Sequence, residues 1–338
     1  MSLSIVVVGA TGNVGREMLS ILSEKKYDAK NIFAVASSKS EGTKVEYGHE
    51  DLVVESLEKF DISKVQLALF SAGAETSKEW APKFAEKNCI VIDNSSHFRM
   101  DPNVPLVVPE VNPEDLKAYN KKNIIANPNC STIQLVVALK PLHDISRIKR
   151  VIVSTYQSVS GAGKAAMDEL FDQSKNIFSD EIVENINFTK RIAFNVIPHI
   201  GKFKDDGYTE EELKMKQETN KILDKEIKFS ATCVRTPVFI GHAESVNIEF
   251  GKKVTVEQAR EAIKNAPGCS LLDERKDGGY VTPIECAGSD DTYVSRIRDD
   301  NTVENGLSIW VVSDNLRKGA ALNTVQIAEL LEENYLNK

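Results

Sequence analysis

The sequence predicts two domains: an α/β domain with a doubly wound parallel sheet, then an α+β domain with a mainly antiparallel sheet. Its 338 residues exceed what a single hydrophobic core usually organises. The first part of the chain alternates short apolar segments with helical patterns, which is typical of a parallel sheet covered by helices. The later apolar segments are longer and rich in β-branched residues, which favours antiparallel strands.

The composition indicates a soluble globular protein, with 41% hydrophobic and 27% charged residues. The formal charge of -8 argues against nucleic acid or an anionic membrane as a partner. No apolar run approaches the roughly 18 residues that span a bilayer. The apolar start of the chain ends in Gly9 without a basic segment, so we expect a first strand instead of a signal peptide. An odd number of widely spaced cysteines favours a reducing cytoplasm over a disulfide framework or a zinc site: Cys89, Cys130, Cys233, Cys269 and Cys286.

The first strand is predicted at Ile5–Val8, and a glycine-rich turn and a helical pattern follow it directly. The spacing G-x-x-G-x-x-G is a variant of G-x-G-x-x-G. Strand, glycine turn and helix form the Rossmann arrangement, in which the backbone approaches a pyrophosphate at the helix N-terminus. A plain strand-to-helix turn is the alternative. The predicted cofactor contacts in this turn are Gly9, Thr11, Gly12, Asn13, Val14 and Gly15.

The second strand, Ile32–Ala36, ends in hydroxyl groups and a cation instead of the acidic residue that usually selects NAD. Hydroxyls and a lysine can bind the 2′-phosphate of NADP, whereas a carboxylate would repel it. We therefore predict NADP as the cofactor, with contacts from Ser37, Lys39 and Ser40. A solvated loop lysine is the competing interpretation of Lys39.

Two further buried strands are predicted at Val65–Phe70 and Cys89–Asp93, separated by a helix at Glu75–Lys87. The second of them runs into Asn94–Arg99 at the carboxyl edge of the sheet, where such domains bind ligands. Arg99 is therefore a candidate anion ligand, with an ordinary surface arginine as the alternative.

Cys130 is predicted to lie in the first turn of a helix. Asn127 can cap that helix, Pro128 suits its first position, and an apolar run follows from Ile133 to Leu139. The unpaired N–H groups and the positive dipole end of a first turn favour a thiolate, lowering a pKa that is about 8.5 in a free side chain. We therefore expect a nucleophilic cysteine. The alternative is a small buried hydrophobic residue.

The second half of the chain reads as strands interrupted by helices, and a final helix at Ala320–Tyr335 is expected to return to the first domain. The domains are predicted at 1–127, completed by a C-terminal helix at 319–338, and at 128–318. The predicted strands are Val151–Ser160, Ala193–Ile197, Ser230–Arg235, Ser245–Phe250 and Leu307–Ser313, and the predicted helices are Glu210–Leu223 and Val256–Asn265.

A thiolate needs an acid or base partner, and His242 is the candidate among the five histidines. It lies between two apolar strand patterns and follows Gly241, which allows close approach. A hydrogen-bonded structural histidine is the alternative.

Taken together, the motifs resemble the aspartate-semialdehyde dehydrogenase family, in its bacterial type. They fall in the family's order and cover essentially the whole chain. The strings Asn-Pro-Asn-Cys-Ser-Thr and Gly-His-Ala-Glu-Ser are far more specific than glycine spacing. The segments that carry the resemblance are Gly9–Gly15, Asn94–Arg99, Asn127–Thr132, Gln157–Gly161, Glu218–Leu223 and Arg235–His242.

This resemblance implies a reversible reaction in which 4-phospho-L-aspartate and NADPH give L-aspartate 4-semialdehyde, NADP⁺ and phosphate. It places the enzyme on the route to lysine (through diaminopimelate), methionine and threonine. Cys130 would hold a thioester. His242 matches the family's acid/base, a role suited to a pKa near 6.5. Gln157 matches the residue that orients the substrate, and a homodimer or homotetramer built through the second domain is implied as well.

The resemblance also implies the substrate contacts. Arg235 matches the residue that binds the α-carboxylate, where a planar guanidinium can bond both oxygens. Arg99 and Lys214 match the phosphate-binding cations, and Glu211 matches the contact to the substrate amino group. Without the family, Glu211, Lys214, Glu218 and Lys221 would be a solvated ion-pair stripe on one helical face. The remaining expected contacts are Asn129 toward substrate and Ser160, Gly161 and Asn315 toward the cofactor.

One departure from the family is Lys39, where many members carry arginine, so discrimination between NADP and NAD rests on a point charge and neighbouring serines. The nearest rival functions are N-acetyl-γ-glutamyl-phosphate reductase and glyceraldehyde-phosphate dehydrogenase, which share the cofactor domain, the thiol and the histidine. The segment from Arg235 to Ser245 and the Glu211/Lys214 helix favour a free amino-acid end. A non-enzymatic NADP sensor and a cysteine hydrolase are the more distant alternatives.

Overall fold

The computed structural model describes residues 3–179, 181–182 and 184–336. The chain forms two compact units. The first contains the chain up to Asn129 and the segment from Ala320 onward, and the second is Cys130–Gly319. The predicted domain limits lie next to these positions in the sequence. Residues 337 and 338 of the predicted C-terminal helix lie outside the described residues.

Helices and strands follow one another along both units. The helices are α1 (Asn13–Glu24), α2 (Ala74–Glu86), α3 (Cys130–Ile145), α4 (Lys164–Ser179), α5 (Glu210–Ile222), α6 (Val256–Asn265), α7 (Pro283–Cys286) and α8 (Leu322–Leu331). The strands are β1 (Ile5–Val8), β2 (Ile32–Ala36), β3 (Lys44–Tyr47), β4 (Glu50–Val53), β5 (Glu55–Ser56), β6 (Leu67–Phe70), β7 (Ile90–Asp93), β8 (Ile124–Ala126), β9 (Ile148–Gln157), β10 (Lys228–Arg235), β11 (His242–Phe250), β12 (Cys269–Leu271), β13 (Thr292–Asp300) and β14 (Gly306–Ser313).

The first unit is built on a six-stranded sheet in the order β5-β2-β1-β6-β7-β8, and all its strand pairs are parallel. Every residue of β1 is buried, because α1 and α8 pack on one face of the sheet and α2 covers the other. On the α2 side, the ring of Phe84 meets Phe70 edge to face, with centroids 5.2 Å apart. The predicted doubly wound domain is confirmed. Its strand order reverses at β1, which leaves a crevice at the carboxyl end of that strand.

The second unit is built on a six-stranded mixed sheet in the order β10-β9-β11-β14-β13-β12. The three central pairs are antiparallel, and the two outer pairs, β10 with β9 and β12 with β13, are parallel. Helices α3, α5 and α6 pack on one face, where Leu135, Leu139, Met215, Val246 and Ile248 belong to one apolar core. The predicted α+β domain with a mainly antiparallel sheet is confirmed.

The predicted strand Ala193–Ile197 is wrong. Phe194 adopts a positive φ of 58°, which turns the chain, and only Ile197 pairs with another strand, through a single bridge to Arg235. Apolar composition favoured a strand there, but the turn prevents a ladder from forming. The predicted strand Val151–Ser160 also ends earlier, at Gln157, because Val159–Ala162 form a helical turn.

In the part of the chain that the structure describes, no helix is both long enough and apolar enough to cross a membrane.

Candidate active site

Cys130 is the first residue of α3 and is partly exposed, whereas the helix is almost entirely buried from Ser131 to Leu139. The side chain packs beside the backbone of Gly319, where an added Cβ would lie 3.0 Å from the Cys130 Cβ. The thiol therefore lies at the open, positive end of a buried helix, an environment that favours a thiolate.

Asn127 and Pro128 do not begin this helix as predicted, because α3 starts at Cys130. The Asn127 side chain is used within the first unit instead. Its Nδ2 donates to Asn94 Oδ1 at 2.9 Å, and its Oδ1 accepts from Asn323 Nδ2 at 2.7 Å. Long-range pairing thus displaces the local capping that the sequence suggested.

Strand register places three predicted site residues at one end of the second sheet. Arg235 ends β10 and pairs with Gln157, which ends the parallel strand β9. The antiparallel strand β11 starts with His242, beside Ala243, which pairs with Tyr156 of β9. Since paired residues on adjacent strands point to the same face, the side chains of Arg235 and Gln157 share one side of the sheet.

His242 is fully buried, and its two ring nitrogens have different surroundings. Nδ1 lies 3.0 Å from the backbone nitrogen of Ser158 and 3.0 Å from Ser158 Oγ. A backbone N–H can only donate, so Nδ1 accepts and the ring proton lies on Nε2. Among the described residues, Nε2 is buried without a hydrogen-bond partner.

Burial, and then the nearby charge of Arg235, lower the pKa of His242 to about 3, and the charge of Glu211 and a hydrogen bond to the Gly241 backbone offset this only in part. The imidazole is therefore neutral at ordinary pH. This pKa lies below the ordinary value near 6.5, and the sequence does not reveal that the histidine is cut off from water.

Arg235 and His242 converge beside Gly161. A Cβ added to Gly161 would lie 3.1 Å from Arg235 Nη1 and 3.2 Å from His242 Nε2. The guanidinium is buried, which lowers the pKa of Arg235, while the charges of Glu211 and Cys130 raise it. A cation and a ring N–H donor therefore border a place that a side chain at position 161 would fill.

Gln157 connects to the acidic helix α5. Its Nε2 donates to Glu211 Oε1 at 3.1 Å, and its Oε1 accepts from Thr155 Oγ1 at 3.1 Å. Lys214 Nζ lies 3.4 Å from Glu211 Oε2. Thr155 was missed by the sequence analysis, although its position two residues before Gln157 on the same strand face could have indicated it.

The helix face with Glu211 and Glu218 is not a solvated ion-pair stripe, because both carboxylates are buried. A carboxylate leaves water only where it has partners, and Glu211 has Gln157 and Lys214. This excludes the surface interpretation for Glu211.

Asn315 holds the turn that precedes His242. Its Oδ1 accepts from the Gly241 backbone at 2.9 Å, and its Nδ2 donates to Ser160 Oγ at 2.9 Å. Ser158 Oγ lies 3.0 Å from the same Oδ1. The predicted cofactor contacts Ser160 and Asn315 thus form a buried network around His242, and Ser158 is a site residue that the sequence analysis missed.

In the first unit, the glycine turn packs so closely against neighbouring backbone that Gly9 and Gly15 have no room for a side chain. Gly9 has a φ of +91°, and a Cβ there would lie 2.6 Å from Ser71 O. A Cβ on Gly15 would lie 2.2 Å from Gly9 O. Helix α1 begins after Gly12 without an acidic residue in its first turn. These residues fit a pyrophosphate, which needs close backbone approach and the positive end of a helix.

The turn after β2 also fits an anion. Ser38–Ser40 form one helical turn, and Ser37 and Lys39 are exposed. The nearby carboxylate of Glu41 is paired with Lys59 at 2.8 Å, which reduces its repulsion of an anion.

Arg99 is buried, so it is not an ordinary surface arginine. Its Nε donates to Asn127 O at 2.9 Å and its Nη2 donates to Asn94 O at 2.7 Å. The guanidinium is therefore fixed within the first unit. Asn129, which directly precedes α3, is buried as well.

A nucleotide-binding sheet in the first unit, and in the second a cysteine at a helix N-terminus together with a buried histidine and arginine, are typical of aldehyde dehydrogenases. The family described as semialdehyde dehydrogenase, NAD binding domain, matches residues 4–119, and the family described as semialdehyde dehydrogenase, dimerisation domain, matches residues 139–318.

Comparison of the whole chain with known proteins shows which aldehyde dehydrogenases it is similar to. The aspartate-semialdehyde dehydrogenase of Aquifex aeolicus is 54% identical, with 98% of each chain covered. The crystal structure of aspartate semialdehyde dehydrogenase II from Vibrio cholerae, complexed with ASA, superimposes with a TM-score of 0.96 at 46% identity, covering 99% of each chain. The Candida albicans enzyme with NADP gives 0.75 at 26% identity, covering 98% of this chain and 99% of that one. The chain belongs to the aspartate-semialdehyde dehydrogenase family, whose members are oxidoreductases of amino-acid biosynthesis.

Proposed function

We propose that this enzyme uses NADPH to convert 4-phospho-L-aspartate reversibly to L-aspartate 4-semialdehyde through a thioester on Cys130. The observation that carries the proposal is the convergence of Arg235 and His242 beside Gly161, in the unit whose helix α3 starts at Cys130. The ASA bound to the Vibrio cholerae relative supports the substrate, and the NADP bound to the Candida albicans relative supports the cofactor.

Cys130 is the proposed nucleophile. Its thiolate attacks the acyl carbon, a C–S bond forms, and the C–O bond to phosphate breaks. The helix N-terminus and the positive charge of Arg235 stabilise the thiolate, since both place positive potential near the sulfur.

His242 is the proposed partner of the substrate carbonyl oxygen, because its Nε2 is the buried donor without another acceptor among the described residues. When bound, the cofactor supplies the hydride that reduces the thioester carbon. A donor aimed at the developing oxyanion accelerates such steps by roughly 10²–10³-fold.

The substrate's amino-acid end is assigned to a cation and a carboxylate. The guanidinium of Arg235 binds the α-carboxylate, and the buried carboxylate of Glu211, oriented by Gln157, binds the α-amino group. Lys214, Arg99 and Asn129 are assigned to the phosphate end. The cofactor is assigned to the glycine turn, to Ser37, Lys39 and Ser40 at its 2′-phosphate, and to the Ser160, Gly161 and Asn315 segment.

The proposed setting is the cytoplasm and the synthesis of lysine, methionine and threonine. The proposed assembly is a homodimer or homotetramer formed through the second unit. The match to a dimerisation domain supports this, as does the face of β9 that carries the exposed side chains of Ile152 and Tyr156.

The test is phosphate-dependent formation of NADPH from aspartate semialdehyde and NADP⁺. It is run beside Cys130→Ala, with Cys269→Ala as a partly exposed control cysteine and N-acetyl-glutamate semialdehyde as a competing substrate. Turnover of aspartate semialdehyde that only Cys130→Ala abolishes supports the proposal. Preference for the acetylated compound would replace the substrate and keep the thiol chemistry. Cofactor binding without turnover would favour a sensor, and faster turnover with NAD⁺ would overturn the cofactor assignment.

A further inference from the structure

We propose that helix α8 positions Arg99 for its phosphate ligand, acting through the paired side chains of Asn94 and Asn127. The two residues of α8 that do this are Asn323 and Thr324, which thereby become positioning residues for the reaction. This inference deepens the proposed function and rests on it in one respect, because Arg99 is assigned there to the phosphate end of the substrate.

The first step of the argument is that two backbone carbonyl groups hold the guanidinium of Arg99. Nε donates to Asn127 O at 2.9 Å, and Nη2 donates to Asn94 O at 2.7 Å. The two nitrogens lie on the same edge of a planar group, so these bonds fix both its position and its rotation. A phosphate oxyanion then meets donors whose directions are set before it binds, and less conformational freedom is lost on binding.

The second step is that the same two residues are bonded to each other through their side chains. Asn127 Nδ2 donates to Asn94 Oδ1 at 2.9 Å. Asn94 directly follows β7 and Asn127 directly follows β8, which are neighbouring parallel strands of the first sheet. The side-chain bond therefore continues the connection between the two segments beyond the ends of their strands, at the place where both segments contact Arg99.

The third step is that α8 contacts each member of this pair. Asn323 Nδ2 donates to Asn127 Oδ1 at 2.7 Å. Thr324 Oγ1 lies 2.9 Å from Asn94 Oδ1 and 2.9 Å from Ala320 O, so its one proton is shared between these acceptors. Asn323 and Thr324 are fully buried at the start of α8. A helix from the end of the chain thus holds the pair that holds the guanidinium.

The fourth step is that backbone groups determine the direction of these bonds. Phe70 O can only accept, so Asn94 directs its Nδ2 at it, at 3.0 Å. Val107 O likewise accepts from Asn323 Nδ2 at 3.1 Å. The Oδ1 of Asn94 then faces the Nδ2 of Asn127, and the Oδ1 of Asn127 faces the Nδ2 of Asn323. Reversing one carboxamide would place donor against donor, so the whole chain of bonds has one arrangement.

The fifth step is that attachment of α8 to the sheet does not require these polar side chains. Val325, Ala328 and Leu331 of the same helix are fully buried in the apolar core of the first unit. Buried polar groups are unfavourable unless they are paired, and apolar side chains would suffice for packing. The polar pair Asn323 and Thr324 instead lies at the carboxyl edge of the sheet, where such domains bind ligands. Orientation of the groups around Arg99 explains this choice.

The direct test is hydrogen exchange of the Arg99 Nε–H, followed by ¹⁵N NMR of the full-length protein labelled with ¹⁵N-arginine. The signal is assigned from its loss in Arg99→Lys. We expect exchange to be at least about tenfold faster in Asn323→Ala than in the wild type, because the carbonyl of Asn127 is no longer held in place. Asn334→Ala is the matched control, since Asn334 Nδ2 donates to Leu330 O in an exposed part of the same C-terminal segment.

Unchanged exchange in Asn323→Ala, or an equal rise in the control, would overturn the inference. A second pair of variants guards against a folding defect: Thr324→Val keeps the shape of the side chain, and Thr324→Ser keeps the hydroxyl. The valine variant should speed the exchange several-fold, and the serine variant should restore slow exchange. Equal exchange in both would remove Thr324 from the positioning role. This readout needs neither phosphate nor turnover.

The functional test is a double-mutant cycle on the Kd of inorganic phosphate, measured by ³¹P NMR titration. Asn323→Ala should weaken phosphate binding by roughly tenfold with Arg99 present and by less than about twofold in the Arg99→Lys background. The same loss in both backgrounds would show that Asn323 does not act through Arg99, which refutes the inference. Equal phosphate binding by Arg99→Lys and the wild type would instead refute the phosphate assignment in the proposed function, and the exchange measurement then decides whether α8 positions Arg99.

Discussion

The guanidinium of Arg235 donates from Nη1 to the carbonyl oxygen of Ser158 at 2.6 Å, and the backbone N–H of the same residue donates to Nδ1 of the His242 ring at 3.0 Å. The backbone of one residue thus contacts two side chains that come from different strands.

Arg235→Lys should raise the KM for aspartate semialdehyde by roughly tenfold or more, because a lysine ammonium cannot bond both carboxylate oxygens and the Ser158 carbonyl in one plane. Steady-state kinetics in the oxidative direction measures this. Arg150→Lys is the matched control, since Arg150 pairs with Glu249 at 3.0 Å away from the site. An unchanged KM in Arg235→Lys would remove this residue from carboxylate binding.

Lys39→Glu should reduce the ratio of NADP to NAD efficiency by roughly tenfold, equal to about 1.4 kcal/mol, because a carboxylate would repel the 2′-phosphate. The measurement is kcat/KM for both cofactors. Lys30→Glu, in the turn Ala29–Asn31 before β2, controls for the change in net charge. If both variants keep the wild-type ratio, Lys39 is a solvated surface lysine.

Thr155→Val should lower kcat/KM by several-fold, about 1 kcal/mol, because the hydroxyl that orients Gln157 is lost and Gln157 orients Glu211. Thr155→Ser keeps the hydroxyl and should restore most of the efficiency. Equal kcat/KM values in the valine and serine variants would mean that the Thr155 hydroxyl does not orient Gln157 and that the side chain contributes packing alone.

Glu244 should make the protein less stable as pH rises. It is fully buried, and within the described chain neither carboxyl oxygen has a hydrogen-bond partner. Burial raises the pKa of Glu244 well above its ordinary value, and Gln134 lowers it only in part. The group is thus protonated in the folded state. Its stabilising contribution is complete below the pKa of the unfolded chain and is lost as pH rises toward the folded value.

Glu244→Gln should therefore remove this dependence and raise the free energy of unfolding by more than about 1 kcal/mol near pH 8, with little gain near pH 4. Denaturant unfolding at the two pH values measures it. Glu249→Gln on the same strand is the control, because Glu249 is only half-buried and is paired with Arg150. An equal effect of Glu244→Gln at both pH values would mean that the carboxyl is already ionised in the folded protein.

Local sequence patterns were sufficient for the parts of the fold that local physics governs. The strand Ile5–Val8, its glycine turn and the helix Val256–Asn265 follow from apolar periodicity and turn chemistry, and Cys130 was expected in a first helical turn on the same grounds. The resemblance to the family indicated which distant side chains could share a site, and the geometry of the site is consistent with that set.

Only the tertiary structure decided how those side chains work. Ser158 and His242 are 84 residues apart, and no local pattern shows that one backbone N–H sets the tautomer of the other residue's ring. Two other predictions failed because local patterns did not show what the chain does there. The side chain of Asn127 pairs with distant residues instead of capping α3, and a turn at Phe194 prevents the strand predicted at Ala193–Ile197. Periodicity reports the environment that a segment prefers, whereas strand register and burial determine which groups face one another and which of them remain charged.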